Sequence, residues 1–320
     1  MKNEKSIVPH PKIPHIHFCI LGLHYRNPHS HSTYEILYVL EGKTTYRTPT
    51  TTIELHKGDI LLTNANEVHE LSSRQNTCLL LCMQISSVFC QTYFPDLRAV
   101  VFQAHLITSM LSSQERLNFL DSLFSAAESY WKAEPLYAYF CVAKVCMMLN
   151  TLLSNIPYQL ISASEYAMQA QTTTRLNQIE SFIEEHYSED RLLQKLAAHL
   201  GFTTSYMSHF FKDNFHITFQ EYLMRHRLEK AIQMLCSSDI PILDICNECG
   251  FADYRQINRY CQAEFGCSAR DCRKINLNEK SHNCITPPHP LMEQRTFSDA
   301  ESLEYFHLHH IMDSLRTSNN

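Results

Sequence analysis

The hydrophobic and polar positions of the chain follow a strand period in its first quarter. From about Ile16 to Ile85 polar and apolar residues alternate, and β-branched and aromatic residues are frequent, as in YEILYVLEGKTTYRT and TTIELHKGDILLT. Glycine, asparagine and proline separate these stretches. Short, closely spaced strands of this kind predict an antiparallel β sandwich or barrel.

The period becomes helical after Pro95. QERLNFLDSLFSAAESYWK and EPLYAYFCVAKVCMMLNTLLSN repeat apolar residues every three or four positions, which predicts two helices with apolar faces. We expect these helices to form a dimer surface because the apolar faces must be buried, and packing onto the β domain is the alternative. The polar stretch SASEYAMQAQTTT that follows lacks such a period and predicts a linker.

Two similar helical units follow the linker. LLQKLAAHLGFTTSYMSHFFKDNF and IPILDICNECGFADYRQINRYCQAEFG each contain a helix, the pair Gly-Phe, a polar N-cap region and a second helix, which is the pattern of a helix-turn-helix. Glycine suits the tight turn because it has no side chain to obstruct it. TFQEYLMRHRLEKAIQMLC, between the units, predicts a helix of about 28 Å, close to the roughly 34 Å turn of DNA that separates two recognition helices.

The order of these motifs resembles a known family. GFTTSYMSHFFK, the connecting helix with YLMRHRLEKA, and IPILDICNECGFADY with EFG resemble the DNA-binding domain of the AraC family of transcription regulators over residues 179–274. The β region and its helices resemble the family's effector-binding and dimerisation half. The resemblance implies a multidomain α and β protein. Its parts would be an N-terminal cupin-like β barrel at 1–98, dimerisation helices at 99–160, a linker at 161–174, an all-α domain with two helix-turn-helix units at 175–275, and a tail at 276–320.

The second unit departs from the family pattern at four positions. Ile257 and Cys261 stand where the family usually has phenylalanines, and Ala269 and Cys272 stand where it usually has proline and tyrosine. These replacements keep hydrophobic character, so we expect the fold to be retained. We expect the second unit to contact DNA more weakly or less specifically than the first.

The charge balance does not indicate a nucleic-acid partner. The chain has 27 Lys and Arg against 33 Asp and Glu, a formal net charge of −6. A helical interaction module without DNA is therefore the alternative for the repeat. Because net charge averages over all faces, a local basic surface is still compatible with it. The residues that could form this surface are Lys212, Arg225, Arg227, Arg255, Arg259 and Arg273.

Candidate DNA contacts lie at the start and along the outer face of each second helix. Arg and Asn side chains bond bidentately to guanine and adenine edges, whereas Ser and Lys more often contact phosphates. An ordinary solvated position is the alternative for each residue. The expected contacts are Thr204, Ser205, Ser208, His209 and Lys212 in the first unit, and Tyr254, Arg255, Asn258, Arg259 and Gln262 in the second.

A different signal lies in HSHSTYEILYVLEG, residues 29–42. Its spacing, H-x-H-x3-E-x6-G, resembles the first cupin motif, and GDILLTNANEVH, residues 58–69, resembles the second, with Asn64 and Asn66 in place of the usual proline and glycine. Two histidines at i and i+2 point to the same side of a strand. In metal-binding cupins the matching positions ligate one ion, and imidazole with carboxylate suits iron, manganese, zinc or nickel. These positions are His29, His31, Glu35 and His69.

Three interpretations of these residues stay open. They could bind a divalent metal, contact a small effector directly, or form a hydrogen-bonded cluster without any ligand, and we favour the effector. Polar groups interleaved with aromatic rings would suit a sugar, which offers hydroxyls and C–H faces. The expected lining of the effector pocket is His29, His31, Glu35, Tyr38 and His69, with Tyr34 and Tyr46 at its border.

The remaining signals concern cysteines, location and the C-terminal part. The spacing Cys246-x2-Cys249 suits zinc, but these cysteines fall on apolar positions of a helix, which predicts packing. No secretory signal or apolar run of about 18 residues is found, which predicts a cytoplasmic protein with no membrane segment and with reduced thiols. Ser298 followed by Glu301 predicts the capped start of a short helix.

We therefore expect a sequence-specific DNA-binding regulator and not an enzyme. What the family resemblance implies is a homodimeric activator that responds to a small molecule and contacts double-stranded DNA and RNA polymerase. No cofactor is expected unless the cupin histidines hold a divalent metal. The alternative from another class is a cupin metalloenzyme, such as an isomerase or dioxygenase, fused to a DNA-binding domain.

Overall fold

The computed structural model describes residues 12–73, 78–273 and 294–309. The alternating stretches predicted as strands form the larger part of a β domain. Its strands are β1 Ile16–Leu23, β2 Tyr25–His29, β3 Thr33–Glu41, β4 Lys43–Arg47, β5 Thr52–His56, β6 Ile60–Thr63, β7 His69–Ser72, β8 Cys78–Ser86, β9 Val100–Phe102, β10 Tyr158–Leu160 and β11 Gln294–Thr296.

The strands of this domain form two antiparallel sheets that share one core. Five strands are ordered β11-β1-β8-β3-β6 and four are ordered β2-β7-β4-β5, while β9 and β10 pair with each other. Leu37 and Val39 of β3 meet Tyr46 of β4 and Leu71 of β7 between the sheets. The β sandwich or barrel predicted from the alternation is therefore found, although the described strands leave it open between the two sheets.

Two helices cover the outer face of the five-stranded sheet. They are α1, Ser113–Lys132, and α2, Tyr137–Asn155, and their apolar faces pack against the sheet in one hydrophobic cluster. By length and composition alone α2 could cross a membrane, but one of its faces is buried here. Its other face carries Tyr139 and Met147, which are 77% and 55% exposed. The inner faces of α1 and α2 therefore pack onto the β domain, which was the alternative to a dimer surface. Dimerisation stays a prediction for the exposed outer face of α2.

The stretch expected to be a linker at 161–174 is the first part of a long helix. This helix, α3, spans Ala163–His186 and begins with a capping box between Ser162 and Glu165. Its early turns lack an apolar stripe because most of their side chains face solvent, and only from Thr173 onward does it bury residues regularly. The segment is therefore helical because it is capped at its start and continues directly into the buried part of α3, although its own hydrophobic pattern predicts no helix.

The double helix-turn-helix is present as predicted. Gly201 and Gly250, each at φ +73°, make the turns within the two units. The first unit packs around Leu196 and Phe211, and the four departures of the second unit are all fully buried in its core, as expected. The helices are α4 Leu192–His199, α5 Thr204–Phe215, α6 Phe219–Ser237, α7 Ile242–Glu248 and α8 Tyr254–Phe265.

The segment 294–309 returns to the β domain. Strand β11 pairs with β1 at the edge of the five-stranded sheet, and α9, Asp299–Leu308, packs against α1. The predicted capping box between Ser298 and Glu301 is confirmed. Phe297 and Phe306 belong to the same hydrophobic cluster as α1 and α2. This part of the expected tail at 276–320 therefore completes the β domain, which nothing in its sequence pattern indicates.

Candidate functional site

The three cupin-like histidines and the glutamate converge inside the β domain. His29 ends β2 and pairs across the ladder with His69, which begins β7, while Glu35 lies on β3. One ring nitrogen of each histidine lies within 4.8 Å of the others. The four residues are only 1–5% exposed. The sequence prediction that His29, His31, Glu35 and His69 form one cluster agrees with this geometry.

Backbone carbonyls fix the tautomer of all three rings. The Nδ1 atoms of His29, His31 and His69 lie 2.9, 2.9 and 3.0 Å from the carbonyl oxygens of Asn27, Thr33 and Glu67. A carbonyl only accepts, so each Nδ1 carries a proton, and in the neutral ring the lone pair is then on Nε2. All three Nε2 atoms are buried without a hydrogen-bond partner. The cluster therefore presents three inward lone pairs.

The Glu35 carboxylate faces two of these nitrogens. Its oxygens lie 3.6 Å from His31 Nε2 and 3.4 Å from His69 Nε2. Burial raises the pKa of Glu35, but His31 and His69 outweigh it and hold that pKa well below its usual value when a proton or positive charge on their side faces the carboxylate. Burial likewise lowers the pKa of His29 well below its usual value. An ionised carboxylate beside imidazole lone pairs is repulsive unless a proton or a cation lies between them.

Two supporting side chains of the cluster were not identified from the sequence. Gln84 Nε2 donates to Glu35 Oε1 at 2.9 Å, and Cys82 Sγ approaches the same oxygen at 3.4 Å. Both lie on β8, where Gln84 stands directly opposite Glu35 in the ladder. Only the strand register brings them together, so residue spacing along the chain could not reveal them. Tyr46, expected at the border, stacks on His69 with ring centroids 5.8 Å apart.

Tyr38 and Tyr34 do not belong to this site, contrary to the expected lining. Both stand on the opposite face of β3 from Glu35, because residues an odd number of positions apart point to opposite sides of a strand. Tyr38 packs edge to face on Phe124 of α1, with centroids 5.0 Å apart. The Tyr34 hydroxyl donates toward the carbonyl of Leu97 at 2.6 Å. The effector pocket expected from sequence therefore loses these two rings.

The candidate DNA contacts lie on the outward faces of α5 and α8. The five residues of the first unit are all exposed. In the second unit Asn258 is half-buried, and its Oδ1 accepts a hydrogen bond from the backbone N–H of Ala269 at 3.1 Å, so its amide already has a structural partner. An open concave surface along α8 is lined by Tyr254, Arg255, Asn258, Arg259, Gln262 and Ala263.

Half of the expected basic surface is used inside the protein. Arg227 donates to the carbonyl oxygens of Tyr187, Glu189 and Gly250 at 2.6–2.9 Å. The Arg225 guanidinium donates to the Tyr25 hydroxyl of the β domain, and Arg273 donates to the carbonyl of Ile240. The cations that stay exposed are Lys212, Arg255 and Arg259.

The cysteines of the second unit act as core residues. Cys246, Cys249 and Cys261 are fully buried in its hydrophobic cluster. Among the described residues, His29, His31 and His69 are the histidine, cysteine or acidic side chains that lie close enough together to hold an ion. The prediction that these cysteines pack in the core agrees with this placement.

Comparison with known proteins identifies both halves of the chain. Residues 15–136 match the family described as "AraC-like ligand binding domain", and residues 196–275 match one described as "Helix-turn-helix domain". The "HTH-type transcriptional activator RhaS" of Klebsiella pneumoniae is 33% identical over 100 residues, which cover 31% of this chain and 36% of RhaS. The chain thus matches about a third of the length of that relative.

Two further proteins resemble the chain over most of its length. The "Uncharacterized HTH-type transcriptional regulator YfiF" of Bacillus subtilis is 22% identical over 263 residues, covering 79% of this chain and 80% of YfiF. The solved structure of ToxT from Vibrio cholerae covers 82% of this chain and 98% of ToxT, with a TM-score of 0.42 and 9% identity. With its N-terminal ligand-binding domain and its helix-turn-helix domain, the chain belongs to the AraC family of DNA-binding transcription regulators.

Proposed function

We propose that this regulator senses a divalent transition-metal ion, held by His29, His31, His69 and Glu35. The observation that supports the proposal is the convergence of three buried Nε2 lone pairs on one carboxylate. Metal-bound histidines usually donate their second ring N–H to a carbonyl or carboxylate, which is the arrangement of all three rings here. The ion would supply positive charge to the carboxylate and a position for a further ligand.

The metal explains the cluster better than the two alternatives from sequence. A cluster with neither a ligand nor an added proton leaves three buried nitrogens unsatisfied, each at a cost of about 1–3 kcal/mol. A sugar bound directly by these side chains loses the stacking surfaces of Tyr34 and Tyr38, which face the other way. A small organic effector with oxygen donors would instead bind as a further ligand of the ion.

The relatives support a regulator over the cupin metalloenzyme, since they are named as transcription regulators. Regulators of the AraC family bind DNA and small-molecule effectors. For this chain we propose base and phosphate contacts from the exposed candidate residues of α5 and α8. We further propose that the protein forms a homodimer through α2. It would act in the cytoplasm, contact RNA polymerase and activate transcription.

The test of the metal site uses full-length protein purified without chelator. We expect about one equivalent of metal by elemental analysis, and Co²⁺ titration should give the absorption bands of a site with nitrogen and oxygen ligands. His31→Ala and His69→Ala should lose the metal. His105→Ala is the matched control, because this histidine lies in the β domain beside Tyr46 but outside the cluster.

The test of the regulatory role is selection of DNA from a random pool, with and without the ion. We expect enrichment of one sequence and a change in affinity for it when the metal is added. Equal affinity in both conditions would separate the metal from regulation. A parent protein that binds no metal under any condition would reject the metal site itself.

A further inference from the structure

Two cysteines lie side by side at the end of the second helix-turn-helix unit. Cys267 follows Gly266, the residue that caps the end of α8, and Cys272 lies in the helical stretch 269–273. Their Sγ atoms are 3.2 Å apart, which is closer than the usual contact between two sulfur atoms. Cys267 is half-buried, whereas Cys272 is fully buried in the core of the unit. One thiol of the pair is therefore accessible from solvent.

The pair occupies two positions at which apolar packing normally holds the start of a helix. Ser268 caps the helical stretch, since its Oγ accepts a hydrogen bond from the Asp271 N–H at 3.2 Å. Cys267 precedes this cap, and Cys272 is the fourth residue after it. In a hydrophobic staple, the residue before the N-cap packs against the fourth residue of the helix. The ordinary role of Cys267 and Cys272 is therefore that of a staple.

The first unit has the same arrangement without sulfur. There Thr218 caps α6 in a capping box with Glu221, Ile217 precedes the cap, and Tyr222 is the fourth residue of the helix. Ile217 and Tyr222 both pack in the hydrophobic cluster of the first unit. Apolar side chains are thus sufficient at these two positions. The thiols of the second unit add a capacity that isoleucine and tyrosine lack, which is to form a covalent bond with each other.

The start of this helix is linked to the surface of α8 that we expect to contact DNA. The Ala269 N–H, directly after the cap, donates to Oδ1 of Asn258 at 3.1 Å. Asn258 lines the concave surface of α8 together with Arg255 and Arg259. Because a disulfide requires a sulfur separation of about 2.05 Å, closing the pair draws Cys267 and the start of the helix toward each other. This displacement reaches Asn258 through its hydrogen bond with Ala269.

We infer that Cys267 and Cys272 form an oxidation site, at which a hydroperoxide converts the two thiols to a disulfide and weakens the contact of the second unit with DNA. This inference rests on the proposed DNA contacts of α8. The Cys267 thiolate attacks one oxygen of the hydroperoxide and the O–O bond breaks, so that Cys267 becomes a sulfenic acid. The departing alkoxide takes up the proton that Cys267 lost. The Cys272 sulfur then attacks the sulfenic sulfur, the S–S bond forms, and the hydroxyl group leaves with the Cys272 proton as water.

The site responds to sustained oxidation and not to brief exposure. Burial raises the pKa of Cys267 to about 12, and a hydrogen bond with Cys261 together with burial raises the pKa of Cys272. Since the thiolate is the reacting form of cysteine, only a small fraction of the molecules reacts at any moment near neutral pH. In a reducing environment the pair therefore remains an uncrosslinked staple.

Oxidation of the full-length protein with hydrogen peroxide tests the site. Free thiols are blocked by alkylation, and trypsin cleaves after Arg270, between the two cysteines, so a disulfide joins two separate peptides in the mass spectrum. We expect a linkage between Cys267 and Cys272 that dithiothreitol reverses. Affinity for the DNA sequence selected from the random pool should fall at least about fivefold, as for the loss of one base contact. Linkage of Cys272 to Cys261 instead, or no linkage of Cys272 at all, would overturn the inference.

Two substitutions separate this pair from the other thiols of the chain. Cys267→Ser keeps the buried Cys272, so it should bind DNA like the reduced parent and lose the response to peroxide. Cys146→Ser is the matched control. It removes another close pair, in which the Sγ atoms of Cys146 and Cys90 are 3.7 Å apart, and it should respond to peroxide like the parent.

The outcomes distinguish this inference from the proposed function. A response to peroxide that persists in Cys267→Ser, or a disulfide in the parent with no change in affinity, would reject the oxidation site while leaving DNA binding intact. A reduced parent that selects no DNA sequence would reject the proposed DNA contacts and the inference with them.

Discussion

Gly250 illustrates how a single residue holds the second helix-turn-helix unit together. It has φ +73°, and a Cβ placed there would lie 2.6 Å from the carbonyl oxygen of Ser188 and 2.9 Å from the guanidinium carbon of Arg227. The Gly250 carbonyl accepts one of the three hydrogen bonds that Arg227 donates to backbone oxygens. The glycine is therefore required by its neighbours as well as by its own backbone.

We expect Gly250→Ala to destabilise the protein by about 3 kcal/mol, because positive φ strain adds to a backbone clash. Gly201→Ala is the matched control, since Gly201 has the same φ but a Cβ added to it would meet nothing within 4 Å. It should cost only about 1 kcal/mol. Urea unfolding of the full chain measures both values. Equal losses of unfolding free energy in the two variants would mean that the close contact with Ser188 and Arg227 does not contribute to the effect of Gly250→Ala.

The residue scale also shows how far the sequence determines the candidate site. The four residues of the histidine cluster could be predicted because the cupin spacing fixes their identity along the chain. The prediction for Tyr38 is wrong although the information is present, since a residue three positions from Glu35 on one strand must face the other way. Gln84 and Cys82 could not be predicted, because their approach to Glu35 depends on which strand pairs with β3 and in what register.

At the scale of elements, α2 has one apolar face that is buried and a second apolar face that is exposed to solvent. Its inner residues, such as Val145 and Met148, pack against α1 and the sheet. Its outer residues Tyr139, Phe140 and Met147 are exposed. The three- and four-residue spacing could predict the helix, but not which apolar positions pack inside the domain. The polar start of α3 could not be predicted from such spacing, because it has no apolar stripe. It is helical because it is capped and continues into the buried part of the same helix.

A charge on the outer face of α2 tests dimerisation. We expect Met147→Lys to convert the proposed dimer to a monomer, because a lysine at an apolar interface must be desolvated without a partner. Light scattering coupled to size exclusion gives the mass. Asn118→Lys places the same charge on an exposed position of α1 and should leave the dimer intact. If Met147→Lys has the mass of the parent, the dimer surface lies elsewhere.

At the scale of the whole molecule, the β domain is discontinuous in sequence. The DNA-binding domain lies between its first part and the segment 294–309, which supplies a strand and a helix. Phe306 packs edge to face on Trp131 and Phe124, with ring centroids 4.9 and 5.8 Å apart. The capping box predicts the helix of this segment, but its docking depends on contacts between residues far apart in the chain.

We expect Phe306→Ala to destabilise the β domain by about 3–5 kcal/mol, because it leaves a cavity beside two aromatic rings. Leu308→Ala is the control, since Leu308 lies on the same helix but is 63% exposed, whereas Phe306 is 2% exposed. Thermal unfolding followed by the fluorescence of Trp131, the single tryptophan of the chain, reports on this region. Similar losses for the two variants would show that the segment contributes little to the core.

The returning segment also has a consequence for synthesis. Domains generally fold in the order in which the ribosome makes them. Here β1 emerges early, yet its neighbour β11 is made only after both helix-turn-helix units. Until then β1 presents an open edge, the kind of edge at which strands of different chains pair and aggregate. Nascent chains of this regulator should therefore depend on chaperones until translation has passed the DNA-binding domain.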